Sequence, residues 1–73
     1  MKRSIELQIM RIFDNLPAGG YATEKIAEYI SKIGAPYSRG DVESALYILA
    51  RRRKLSVAPD DIGFGPIDFF SKT

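Results

Sequence analysis

Apolar residues recur at helical spacing as far as Lys54 and alternate beyond it, and this change of period divides the 73-residue chain into a helical part and a strand part. Ile5, Ile9, Ile12, Phe13 and Leu16 lie three and four apart behind Ser4, a candidate N-cap, and so mark one face of a first helix. Pro17, Gly19 and Gly20 end it, and Tyr21-Ala22 forms a short extended pair. Thr23 is the expected cap of a second helix, with Glu24 in its first turn and Ile26, Ala27, Ile30 and Ile33 as its apolar face; Gly34 and Pro36 stop it. The third helix opens at Ser38, where Ser38-x-x-Asp41 has the form of a capping box, and buries Val42, Ala45, Leu46, Leu49 and Ala50. Leu55-Ser56-Val57 then alternates like a strand, Ala58 to Gly63 is turn chemistry, and Ile67 to Phe70 is rich in strand formers. The expectation is one α+β domain over residues 1–73, mainly α. Three helices near 4–16, 23–33 and 38–53 form a bundle closed by a C-terminal β-hairpin within 55–70, pairing 55–58 with 66–70. Phe13, Leu46, Leu49, Leu55, Phe69 and Phe70 are its expected central contacts.

The chain has no cysteine and no histidine. It therefore lacks disulfides, thiolate zinc sites and the commonest general base. Asp60-Asp61 has no third carboxylate at metal-ligand spacing, so neither catalysis nor a metal or cofactor is expected. Gly63-Phe64-Gly65-Pro66 lacks the spacing of a phosphate-binding loop and falls late in the hairpin. Glu6, Gln8 and Arg11 interrupt the first apolar stretch, which argues against a secretory signal; no stretch is long enough for a membrane, and the expected compartment is the cytoplasm. Charge is unevenly placed. Residues 1–57 hold ten Lys and Arg against six Asp and Glu, whereas residues 58–73 hold one lysine against three aspartates. A polyanion would prefer the first part.

Gly20-Tyr21-Ala22-Thr23-Glu24-Lys25-Ile26-Ala27, followed by Ser38-Arg39-Gly40-Asp41-Val42 and Leu55-Ser56-Val57, resembles the helix-turn-helix and first wing strand of bacterial winged-helix regulators. The nearest pattern is the PadR-like group, through Gly20-Tyr21 and Ser38-Arg39-Gly40. The resemblance covers about residues 4–57. It implies a winged helix-turn-helix that binds double-stranded DNA as a small transcriptional regulator. In such families a glycine usually ends the third helix where this chain has Lys54, so the left-handed residue expected there is not glycine.

In that frame the third helix enters the major groove, with Ser38, Arg39, Glu43, Ser44 and Tyr47 as expected base contacts. Arg39 is the strongest of them, because a guanidinium can make two parallel bonds to a guanine edge. Tyr37, Arg51, Arg52, Arg53 and Lys54 are the expected backbone contacts, with Lys2 and Arg3 as a basic arm. The bland alternative is a solvated first-turn arginine and a helix end whose cations complement the dipole. A domain this small covers little of a duplex, so a homodimer on a two-fold site is expected. The competing expectation is a protein-binding adaptor that offers the basic helix end to an acidic partner and exposes Phe64, Phe69 and Phe70.

Overall fold

The computed structural model describes residues 5–61 and 66–73. Three helices, α1 (Ile5–Asn15), α2 (Thr23–Lys32) and α3 (Arg39–Arg51), precede a hairpin of β2 (Leu55–Asp61) and β3 (Pro66–Lys72); a two-residue strand β1 (Tyr21–Ala22) lies between α1 and α2. The sheet is antiparallel in the order β1-β3-β2, with Tyr21 opposite Phe70 and Ala22 opposite Phe69 on one side of β3, and Leu55 opposite Lys72 through Asp61 opposite Pro66 on the other. This is a small α+β domain compatible with a winged helix. No described helix is long and apolar enough to cross a membrane. Ser4, expected as the cap of α1, and Gly63, Phe64, Gly65, Lys2 and Arg3 lie outside the described residues.

The hairpin strands run longer than the alternation suggests. Pro59, read as a turn residue, sits inside β2 opposite Asp68. A proline is tolerated there because β2 is the edge of the sheet, where no further strand asks for its missing N–H.

The core collects Ile9 and Phe13 of α1, Ile26 and Ile30 of α2, Val42, Ala45, Leu46 and Leu49 of α3, Leu55 of β2 and Phe70 of β3. Five of the six expected central contacts are thus buried. Phe69 is not: it is only half-buried, because neighbours in a strand point to opposite faces and Phe70 takes the face toward the helices. The backbone of Gly20 approaches Phe69 on its other face, where an added Cβ would stand 3.1 Å from the Phe69 Cβ. Ile33, expected on the buried face of α2, is 58% exposed because it falls at the C-cap, past the last full turn.

The ends of the helices show which local signals operate. Ser38 and Asp41 close the capping box reciprocally: the Ser38 hydroxyl accepts from the Asp41 N–H (3.2 Å), and the Asp41 carboxylate accepts from the Ser38 N–H (3.1 Å). Thr23 does not cap α2. The N-cap is Ala22, with no side-chain cap bond, and Thr23 is the first helical residue, turned inward and 8% exposed. The C-termini of α2 and α3 end in the same backbone motif. In α2 the N–H groups of Gly34 and Ala35 donate to the carbonyls of Ser31 and Ile30; in α3 those of Arg53 and Lys54 donate to Ala50 and Leu49. The left-handed position is Gly34 (φ 78°) in the first and Arg53 (φ 64°), not Lys54, in the second. Because a Cβ is disfavoured in that conformation, Arg53→Gly should stabilise the domain by about 1 kcal/mol. For a domain of this size that corresponds to a rise in Tm of about 4–8 °C. A lower Tm by calorimetry would mean that the arginine side chain contributes more than its backbone loses.

Candidate nucleic-acid interface

α3 is amphipathic across its width. Val42, Ala45, Leu46 and Leu49 face the core, so residues about half a turn away face outward. Gly40, Ser44, Tyr47, Ile48 and Arg51 form that outer ridge and all are exposed, with Arg39 and Glu43 along the flank toward α2 and β3. Of the expected base contacts, Ser38, Arg39, Ser44 and Tyr47 are exposed and Glu43 is half-buried. Ser38 is also the cap, so its hydroxyl is already engaged.

Tyr47 is held rather than free. Its ring meets Phe70 edge-on, with centroids 5.1 Å apart, and its hydroxyl donates a hydrogen bond to the Asp68 carboxylate on β3. One side chain therefore ties the outer face of α3 to the hairpin. The bond to Asp68 raises the Tyr47 pKa above the ordinary tyrosine value, helped by partial desolvation and by the charges of Asp68 and Glu43. The sign follows from the protonated form being favoured in the fold. The pairing contributes in full below the ordinary tyrosine pKa and is lost as pH rises through the raised one. In an alkaline absorbance titration, Tyr47→Phe should remove the latest-rising part of the tyrosinate signal; loss of an early part instead would place the tyrosine elsewhere.

The four consecutive cations at the end of α3 do not form one patch. Arg51 continues the outer ridge beside Ser44 and Ile48. Arg52 points to the other side, where its guanidinium bonds Glu6 of α1 at 2.9 Å. Lys54 borders a hollow with Leu7, Met10 and Leu49 on that same α1 side. Arg53 sits in the closing turn, where the Thr73 hydroxyl is shared between its carbonyl and that of Lys54. The hundred-degree step separates Arg51 from Arg52 at the helix end, and the left-handed turn at Arg53 redirects the chain for Arg53 and Lys54. Arg51 is thus the member of the run that shares the face of the expected base contacts. Tyr37, expected on the phosphate backbone, is half-buried against the core.

Between the first turn of α2, the first half of α3 and β3 lies an open groove of about 740 Å³. Its charged lining is Glu24, Glu28, Glu43 and Asp68 against Lys25 and Arg39. Both cations already have partners, Lys25 with Glu28 (3.6 Å) and Arg39 with Glu24 (3.7 Å), all with substantially exposed side chains. The groove is therefore acidic on balance, while the ridge beside it carries Arg51. Sequence reasoning missed this groove and missed Gly40 and Ile48 on the ridge. The ridge is recoverable from the four-residue steps Gly40, Ser44, Ile48, but Glu24, Glu43 and Asp68 meet only through tertiary structure. Among the described residues no group of three or more acidic side chains is arranged to hold a metal ion.

No family model matches the chain, and no curated protein resembles it significantly.

Proposed function

We propose that the domain binds double-stranded DNA, with the outer ridge of α3 lying in the major groove. The observation that carries this is that α3 keeps an exposed ridge of Gly40, Ser44, Ile48 and Arg51 along its outer face, with a β-hairpin standing beside it and touching it at Tyr47. A helix with its side chains is about 10–12 Å across, and the B-form major groove is about 12 Å wide. The residues that would go deepest, Gly40 and Ser44, are small, and arginines stand at both ends, Arg39 near the N-terminus and Arg51 at the C-terminus. Arg39 supplies the bidentate donor to a guanine edge, Ser44 adapts to either base, and the Ile48 side chain offers apolar contact to a thymine methyl. Arg51 grips a phosphate. Regulation of transcription by a homodimer on a two-fold site is the biological form of the proposal, since one copy covers few base pairs.

The adaptor reading fares less well on its own terms. Phe70 is wholly buried and so committed to the fold, Phe69 is half-buried, Phe64 lies outside the described residues, and Arg52 is already paired with Glu6. The deciding experiment is a fluorescence titration with random-sequence duplex at about 50 and about 200 mM salt. Binding that weakens steeply with salt supports the reading, because phosphate contacts release counterions. No binding at the lower salt removes it.

A further inference from the structure

Apart from Arg39, which lines it, the acidic groove has no role in the duplex reading, since carboxylates repel phosphate. We propose that it is a separate docking site for an extended peptide segment bearing lysine or arginine, supplied by a partner protein. The inference does not rest on DNA binding.

Three independent features converge there. The first is an uncovered strand edge. β1 pairs with β3 only at Phe69 and Phe70, after which the chain turns away into α2. On that side Ile67 and Asp68 carry no strand partner among the described residues, and both line the groove. An added strand in line with β1 would meet backbone groups of β3 and extend an existing ladder. The second is Thr23. It lines the groove at 8% exposure, and its hydroxyl bonds no described residue. Because no described side-chain oxygen is buried without a partner, that hydroxyl opens to the solvent of the groove, where it can donate to or accept from an incoming backbone group. The third is charge. With Lys25 on Glu28 and Arg39 on Glu24, the groove keeps Glu43 and Asp68 as its excess negative charge, and among the described residues the Asp68 carboxylate accepts from Tyr47 alone. Ala22, Ile67 and Phe69 supply apolar lining between these carboxylates. Backbone pairing, apolar positions and two carboxylates suit an alternating segment with apolar and cationic side chains, and they disfavour an acidic one.

The test uses the full chain labelled with nitrogen-15 and two blocked peptides, Val-Arg-Val-Lys-Val and Val-Glu-Val-Glu-Val. The first should shift the amide signals of Thr23, Lys25, Ile67, Asp68 and Phe69 in a saturable way; the second should not. Glu43→Gln combined with Asp68→Asn keeps the shape of the groove and the acceptor for Tyr47. It should weaken the cationic peptide about fivefold, as expected for losing two exposed charge pairs. Because the same change removes repulsion from phosphate, affinity for duplex should stay or rise, so a failure of this inference is distinguishable from a failure of the duplex reading. Equal shifts from both peptides, shifts centred away from β3, or no saturation at millimolar peptide would overturn it. So would an affinity unchanged in the double variant, or groove amides that respond to duplex and not to peptide.

Discussion

Leu46→Ala is expected to leave much of the protein unfolded at room temperature. Leu46 is fully buried in the middle of α3, in the cluster that joins α1, α2 and the hairpin. Removing three heavy atoms there loses their transfer energy and leaves a cavity, about 2–5 kcal/mol in comparable core sites. A domain of this length has a small core and a total stability near the lower end of the usual range, about 5 kcal/mol. The loss therefore consumes a large part of the total. Urea unfolding followed by circular dichroism should show the midpoint fall sharply or the folded baseline disappear. Leu7→Ala is the matched control, because Leu7 is 56% exposed on α1 and should change stability by no more than about 0.5 kcal/mol. Equal midpoints for the two variants would mean that the buried face of α3 has been assigned to the wrong residues.

The periodic part of the sequence carried most of the architecture. The three helices end within two residues of their expected bounds, and the Ser38–Asp41 capping box forms as the spacing implies, because these signals are local and depend on few neighbours. What was not legible depends on pairings between distant residues. Which of two adjacent phenylalanines faces the core is set by the register of β3 against β1 and β2, and nothing in Phe69-Phe70 itself decides it. Thr23 has the composition of a cap but sits one position too late, because β1 holds Ala22 in extended geometry and makes it the boundary residue. Four consecutive cations on a helix must point around its axis, but which of them lies where is not written in the run itself: Glu6, forty-six residues upstream of Arg52, holds that guanidinium on the far side of the helix. The acidic groove draws on α2, α3 and β3 and leaves no contiguous signal at all.

That division of the basic run sets up the most discriminating result expected for the duplex reading. On a duplex selected from a random pool, Arg39→Ala should cost about 1–3 kcal/mol and relax the preference at one base position, because it removes a bidentate base contact. Some of that loss is offset in the free protein, since Arg39 no longer has to leave Glu24, an exposed pairing at 3.7 Å that contributes little by itself. Arg51→Ala should behave differently: binding weakens by a similar factor on selected and random duplexes, and the slope of log affinity against log salt falls by about 0.9 for the lost phosphate contact. Arg52→Ala is the decisive third member. Its neighbour in sequence would contact phosphate, but its own guanidinium bonds Glu6 on the α1 side, so duplex affinity and salt slope should stay as in the wild type. A patch defined by sequence alone predicts the same loss for Arg51 and Arg52, whereas the helix geometry predicts loss for Arg51 only. If Arg52→Ala lowers the salt slope as much as Arg51→Ala, the DNA does not lie along the outer ridge of α3, and the interface must be moved toward α1.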